Sequence, residues 1–276
     1  MNITILGCGA LGRLLAYFLI KDGNNVQGWL KQNKKDSICI NITHTNNIRD
    51  NITLPTNDIL HLNNSNLLIV TLKIGSIIYS LKQIINFINK NCIVLLIYNG
   101  LGIENKLLFI QQPLLIGITY HAVYKEQEII YHNYKGLTVI GKINNAVKNI
   151  DYNILIKKLN SALTNVIWCE DIYVFKLKKL VVNCVINPLT TIYNCKNGEL
   201  LKYNKSILSI CKELSDILKH MNIFINTKDL VILVTNVISN TKNNISSMLQ
   251  DIKNNKYSEI DYINGYIIKY ARLNNL

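Results

Sequence analysis

A short apolar run, Asn2 to Leu6, passes directly into Gly7-Cys8-Gly9-Ala10-Leu11-Gly12, and few local patterns restrict a fold as tightly. The glycine spacing is G-x-G-x-x-G. From Ala10 to Lys21 the pattern is helical, with Leu11, Leu14, Leu15, Phe18 and Leu19 on one face. Asp22-Gly23-Asn24-Asn25 reads as a turn, and 26–30 as a second strand. Strand, glycine loop, helix and strand in that order form the context in which this fingerprint binds a dinucleotide. The glycines permit the tight turn, the approach of backbone to pyrophosphate, and the packing of helix on strand; the helix N-terminus faces the phosphates. The alternative is a tight turn whose glycines serve packing alone.

The end of the second strand selects the nicotinamide cofactor. An acidic residue there would bond the ribose 2′-hydroxyl of NAD. Here the chain reads Trp29-Leu30-Lys31-Gln32, with Lys34 and Lys35 behind. Positive charge without a carboxylate suits the 2′-phosphate of NADP(H), unless these are ordinary surface lysines.

Further strands are expected at 67–72, 93–97 and 114–119, with helices at 77–88 and 103–109 between them. Such alternation implies a parallel sheet covered on both faces. Lys73 and Asn99 stand just past two strand ends, the edge at which open α/β sheets bind ligands. Asn99-Gly100 is also a turn signal, and Lys73 also suits a solvated helix lead-in. His121 stands at a third strand end, where a core or capping role has at least equal claim. Residues 128–140 read as a hairpin around 133–136.

From Asp151 the periodicity turns helical: 152–163, 172–187, 207–220, 228–238 and 259–273, with a short apolar Val166-Ile167-Trp168 intervening. The expected fold class is α/β, an N-terminal Rossmann-type parallel sheet with a C-terminal all-α domain. The weakly patterned stretch 142–149 sets the domains at 1–145 and 146–276.

Within the second half, LKKLVVNCVINPLT (177–190) is apolar except for Lys179, Asn183 and Asn187. Spacing of i, i+4 and i+8 makes them one stripe on a helix, which Pro188 is expected to end. A lysine is rarely buried without a partner. The stripe therefore reads either as a site for an oxygen-rich small molecule or as a helix edge meeting solvent. The segment 244–250 opens an apolar run with small hydroxyls, for which helix capping is a good explanation. Ser258 with Asp261 suits a capping box, which leaves Glu259 available. A carboxylate beside Lys179 would keep its ammonium charged.

Composition narrows the classes. The net charge of +13 tempts toward nucleic acid, but the lysines are dispersed and the arginines are only Arg13, Arg49 and Arg272. Abundant Asn, Ile and Lys point to AT-rich coding bias, which also accounts for N-x-S/T triplets such as Asn41-Ile42-Thr43. Seven cysteines, odd in number and without a CxxC pair, suit reduced thiols, and the histidines lack metal-ligand spacing. No apolar run is long enough for a bilayer, and the N-terminus lacks a basic leader. The expectation is a cytoplasmic protein with a small-molecule substrate, no nucleic acid, no membrane and no metal, as a monomer or homodimer.

The segments ILGCGALG, VQGWL, LLIVTLK, NGLG, IQQPLL, KLVVNCVINPLT, NCKNGEL, NISSMLQDI and EIDYINGY resemble the ketopantoate reductase family, the 2-dehydropantoate 2-reductases of pantothenate biosynthesis. The resemblance runs from residue 3 to about 270, and its second-half motifs are more specific than the glycine loop. It implies a Rossmann domain followed by a helical domain with the active site in the cleft between. It also implies reduction of 2-dehydropantoate to (R)-pantoate by NADPH. Lys179 matches the family's catalytic lysine, which stabilises the developing charge on the ketone oxygen and donates the proton. Glu259 matches a glutamate at the junction of lysine, cofactor and substrate. Asn183, Asn187 and Asn197 match substrate-contacting asparagines, and Asn244, Ile245, Ser246 and Ser247 match the segment that holds the substrate's carboxylate and hydroxyl. Gly7, Cys8, Gly9, Ala10, Leu11, Gly12, Lys73, Asn99 and Val123 match cofactor contacts, with Asn99 also facing substrate. Two departures stand out. Lys31 occupies a position usually held by arginine, so the charge remains but the bidentate fork is lost. The chain also stops at Leu276, before a terminal segment that family members carry, which bears on stability and the edge of the cleft. Two other readings share the pattern: another NADP-dependent β-hydroxyacid dehydrogenase-like reductase, and an inactive nucleotide-binding protein.

Overall fold

Continuous apolar strands make sense only where both faces of a sheet are covered. The computed structural model, which describes residues 1–31, 36–144 and 151–276, shows this arrangement. Strands β1 (Asn2–Leu6), β2 (Asn25–Trp29), β5 (Leu67–Val70), β6 (Ile93–Ile97) and β7 (Leu114–Thr119) run parallel, and every residue of β5 and β7 is buried. β10 (Thr138–Lys142) adds antiparallel to β7, and β11 (Val166–Trp168) pairs parallel with β10, giving the order β11-β10-β7-β6-β5-β1-β2. The chain leaves β1 for β2 on one side and later returns on the other side at β5. The glycine loop after β1 therefore stands at the topological switch point.

A second sheet was not foreseen. β3 (Ser37–Thr43) and β4 (Arg49–Pro55) form a hairpin, and β3 also pairs parallel with β9 (Ile129–Tyr134), whose antiparallel neighbour is β8 (Ala122–Glu126). Helix α1 (Ala10–Lys21) shares one apolar core with β1 and β3 through Leu14, Leu15, Leu19, Ile5, Ile40 and Ile42. The hairpin expected over 128–140 is corrected here. Its turn lies at Gln127, with φ of 51°, and β10 belongs to the other sheet. Gly136 is not a hairpin residue: a Cβ there would collide with the backbone of Tyr120, so it marks a close crossing of chains.

The helices differ from expectation mainly at their ends. α2 (Ile59–Asn63) is short; α3 spans Ile74–Ile84 and tightens into a 3-10 turn at Ile85–Phe87; only a 3-10 turn, Glu104–Leu107, forms where a helix was expected at 103–109. α4 is Tyr152–Leu163. The long α5 (Ile172–Ile192) continues through Pro188 instead of ending there. α6 (Asn204–His220), α7 (Thr227–Asn240), α8 (Ser247–Lys253) and α9 (Asn264–Leu273) complete the chain. Val181, Cys184, Val185 and Ile186 of α5 pack with Ile207, Leu230, Val234 and Ile267 in a second core.

Two compact units result. One comprises 1–98 and 103–175; the other comprises 99–102 and 176–276. Their division falls inside α5 because β11 still extends the sheet and α4 still shares the core of α1. The boundary expected at 145/146 falls within 145–150, which lie outside the described residues, as do Lys34 and Lys35. No helix among the described residues is long and apolar enough to cross a membrane, and all seven cysteines are unbridged.

Candidate active site

The three glycines of the loop each answer a different constraint. Gly7 has φ of +104°, and a Cβ on it would lie 2.9 Å from Leu72 Cδ2 and 3.0 Å from the Leu72 nitrogen. A Cβ on Gly12 would overlap the Gly7 carbonyl oxygen and approach Thr71 Oγ1 to 2.6 Å, so close packing of α1 on the sheet requires glycine there. Gly9 is the reverse case: nothing lies within 4 Å of its Cβ position. It is the N-cap of α1, with no side-chain cap and no acidic residue in the first turn. Carbonyls that would repel a phosphate are engaged from within. Thr71 Oγ1 donates to Gly7 O at 2.5 Å, and Arg13 Nε donates to Cys8 O at 3.1 Å. Arg13 is itself held by Glu128 at 3.0 Å. Burial pushes the Cys8 thiol up to about 11, so it stays neutral in this loop. An open cradle at a helix N-terminus, with its carbonyls occupied, fits a diphosphate.

The other residues expected at the cofactor are placed separately in the same unit, Asn99 and Glu259 excepted. Lys31 is exposed just beyond β2, whose end is fixed by Leu30 N–H donating to Asn57 Oδ1 at 2.7 Å. Lys73 is the exposed N-cap residue of α3, immediately after β5. Val123 is half-buried in β8 against the α1 core. Ala10 and Leu11 begin α1 and also pack on that core.

In the second unit, helical phase sorts three lysines within four residues. Lys176 is buried, Lys178 exposed and Lys179 half-buried. Burial pushes the Lys179 ammonium down to about 8, and the opposing charge of Glu259 limits the drop. Glu259 is only 6% exposed, and its Oε2 accepts from Asn99 Nδ2 at 3.2 Å. Lysine, carboxylate and carboxamide are thus brought together in one unit. A buried amine that titrates near neutrality beside a carboxylate can hold a proton and give it to a developing oxyanion. Asn183 and Asn187 continue the face of Lys179, half-buried and buried respectively. No side-chain hydrogen bond among the described residues occupies either carboxamide.

Asn197 is buried and held by two neighbours. Its backbone N–H donates to Asn244 O at 3.0 Å and its Nδ2 to Thr241 Oγ1 at 2.9 Å, while its Oδ1 is buried without a partner. The segment 244–247 separates into different duties. Ile245 O accepts from Gln250 Nε2 at 2.8 Å. Ser246 caps α8, accepting from Leu249 N–H at 3.2 Å and from Thr190 Oγ1 at 2.7 Å. Ser247 is the exposed hydroxyl, and capping as foreseen from the sequence belongs to Ser246. Among the described residues Ser258 Oγ accepts from Ile260 N–H alone, at 3.4 Å, and the expected capping box with Asp261 is not formed there. Thr71, Arg13, Thr190 and Thr241 were not singled out from sequence. Their roles depend on partners far along the chain, and no local pattern marks them.

A parallel sheet with an open glycine loop at its switch point, and a helical unit carrying a half-buried lysine with a buried carboxylate, define a nicotinamide-dependent oxidoreductase of Rossmann type. Residues 3–145 match the family model "Ketopantoate reductase PanE/ApbA", and residues 171–276 match "Ketopantoate reductase PanE/ApbA C terminal". The chain belongs to the ketopantoate reductase family. It is 41% identical to the 2-dehydropantoate 2-reductase of Escherichia coli O157:H7 over 272 residues, covering 99% of this chain and 89% of the relative. The Vibrio cholerae enzyme of that name is 30% identical, covering 98% and 90%. Among solved structures, a probable 2-dehydropantoate 2-reductase from Bacillus subtilis is 25% identical with a TM-score of 0.74, covering 99% of this chain and 94% of that one. D-mandelate dehydrogenase with NADH and anilino(oxo)acetate shares the fold at 23% identity and a TM-score of 0.88, covering 100% and 93%.

Proposed function

We infer that the chain reduces 2-dehydropantoate to (R)-pantoate with NADPH, a step toward coenzyme A; its relatives carry the name 2-dehydropantoate 2-reductase. The observation that carries the chemistry is the half-buried Lys179, with its ammonium near 8, beside the buried Glu259. Residues 1–145 form the cofactor-binding domain of this reading and 146–276 the substrate domain. The open Gly9 cradle and the lysine at the end of β2 suit NADPH, which supplies the hydride when bound.

The chain's own residues supply the rest. Lys179 holds a proton and gives it to the ketone oxygen as negative charge develops there. Glu259 keeps that ammonium charged in a site where burial alone would discharge it further. Asn99 holds Glu259 in place. Asn183, Asn187 and Ser247 offer uncommitted polar groups, and Asn197 offers an unpaired Oδ1, to orient the keto acid's carboxylate and hydroxyl. Ser246 acts through the backbone, by fixing the start of α8.

The reading includes a cytoplasmic enzyme acting as monomer or homodimer. Seven unbridged cysteines suit a reducing compartment, and a ketopantoate reductase from Staphylococcus aureus is dimeric. The decisive test is oxidation of NADPH followed at 2-dehydropantoate saturation, repeated with NADH and with a panel of other 2-keto acids. Turnover fastest with 2-dehydropantoate and NADPH is the expected result. Binding of NADPH without turnover of any keto acid would overturn it.

A further inference from the structure

Pro188 lies inside α5, where a proline has no N–H to give to the carbonyl four residues back. That carbonyl belongs to Cys184, which is fully buried. Unpaired, it would be an acceptor stranded in an apolar core, at the joint where a proline bends a helix. It is not stranded. Nδ2 of Asn264, the first residue of α9, donates to Cys184 O at 2.9 Å across 80 residues of chain.

We propose that Asn264 is a positioning residue for the reduction: its side-chain amide supplies the hydrogen bond that Pro188 cannot, and so fixes the α5 turn bearing Lys179, Asn183 and Asn187 against the segment bearing Glu259. The proposal rests on the function inferred above.

Three observations support a role beyond packing. Asn264 leaves its own Oδ1 buried without a partner, whereas its neighbours Ile263 and Ile267 fill the core with apolar groups. A residue placed there for packing alone would be apolar too. Second, the link joins the two strips of chain that must stay in register. Cys184 follows Asn183 on α5, and Asn264 ends the short 259–264 segment that begins with Glu259. Third, the far side of the proline joint is pinned independently. Thr190 Oγ1 reaches Ile186 O at 2.8 Å, Asn187 O at 2.9 Å and Ser246 Oγ at 2.7 Å. The Cys184–Asn264 bond therefore sets the direction of the half that carries Lys179.

The test is a double-mutant cycle on the full chain with P188A, N264A and P188A/N264A. Alanine at 188 restores the helical N–H to Cys184 O, so Asn264 becomes dispensable in that background. N264A alone is expected to raise KM for 2-dehydropantoate roughly tenfold, equivalent to about 1.4 kcal/mol, with KM for NADPH changed less than about twofold. It should also move the high-pH limb of kcat to lower pH, as Glu259 drifts from Lys179. In the P188A background, removing Asn264 should change these quantities by no more than about twofold. Equal losses with and without Pro188, or no loss in the wild-type background, overturn the proposal. Should N264A not be isolated folded, N264S, whose hydroxyl is a shorter donor, runs the same cycle. If the wild-type chain turns over no keto acid, the functional reading fails by itself. The cycle read as melting temperature then still decides whether Asn264 substitutes for the missing N–H.

Discussion

Asn99 Nδ2 donates to Glu259 Oε2 at 3.2 Å, joining residues 160 positions apart in the chain. The same carboxylate raises the Lys179 ammonium against the downward push of burial. Because proton donation needs the charged amine, activity should hold at neutral pH and fall as pH rises through about 8. In Glu259→Gln the side-chain volume stays and the charge goes, so only the downward push remains. The descending limb of kcat against pH should then move below the wild-type position, with reduced turnover at neutral pH. A limb left in place would show that Glu259 does not act on Lys179.

Two lysines one residue apart offer an internal control. Lys179→Ala should lower kcat roughly 10²–10⁴-fold, the scale of a lost general acid. Lys178 is exposed on the same helix, and Lys178→Ala should stay within about twofold of wild type, as surface changes do. Single-turnover rates with saturating NADPH separate the two; similar losses in both would remove Lys179 from its role.

The loop glycines predict opposite failures. Gly9→Ala meets no protein atom within 4 Å, so the folded chain should melt almost as wild type does, while its methyl group enters the open space where the proposed function puts the diphosphate. NADPH affinity should drop with little change in melting temperature. Gly12→Ala would collide with the Gly7 carbonyl and Thr71, so it should lower the melting temperature itself by displacing α1 from the sheet. Fluorescence titration with NADPH and thermal melting of the free proteins check both halves.

These contrasts also explain what the sequence made legible. The glycine loop and the doubly buried strands are local patterns, and they appear where periodicity puts them. The stripe of Lys179, Asn183 and Asn187 was visible because its spacing lies within one helix. The second sheet was not, because β3 finds its partner β9 some ninety residues later and its polar edges mask the alternation. Pro188 signalled a helix end by the local rule. The helix continues, and the Cys184 carbonyl that Pro188 cannot serve takes a donor from Asn264, which no window around Pro188 contains. Glu259 could be suspected as a spare acid, but its bond to Asn99 depends on the tertiary fold.

Lys31 stands exposed just past the end of β2. An ammonium attracts a 2′-phosphate as a point charge, without the paired donors of a guanidinium. Lys31→Ala should raise KM for NADPH and leave KM for NADH nearly unchanged. Lys31→Arg should lower KM for NADPH. The ratio of kcat/KM for the two cofactors in each variant is the measurement, and an unchanged ratio in Lys31→Ala would place 2′-phosphate recognition elsewhere.

His121 Nδ1 and His132 Nε2 lie 3.0 Å apart, and the outer nitrogen of His121 is buried without a partner. Burial lowers both rings to about 4, helped by Lys135, and for His132 also by the charge of His121. The folded values lie below the ordinary 6.5, so the fold holds the pair neutral. Above pH 6.5 neither state binds a proton there, and the pair adds no pH dependence. As pH falls from 6.5 toward about 4 the unfolded chain takes up protons that the fold refuses, and stability is lost. The slope cannot exceed roughly 1.4 kcal/mol per pH unit per histidine. His44, lowered mainly by burial, adds to the same window, whereas the lowered carboxylate of Glu128 matters only below its ordinary 4.5. Urea midpoints between pH 7.5 and 5 should therefore decline for the wild-type chain. H121Q/H132Q, less stable at pH 7.5, should lose less over that interval because the two rings that the fold holds neutral are gone and the lowered His44 stays. An equal decline in both proteins would mean that the pair takes up protons at the same pH in the folded and unfolded chain, and that the fold does not hold it neutral.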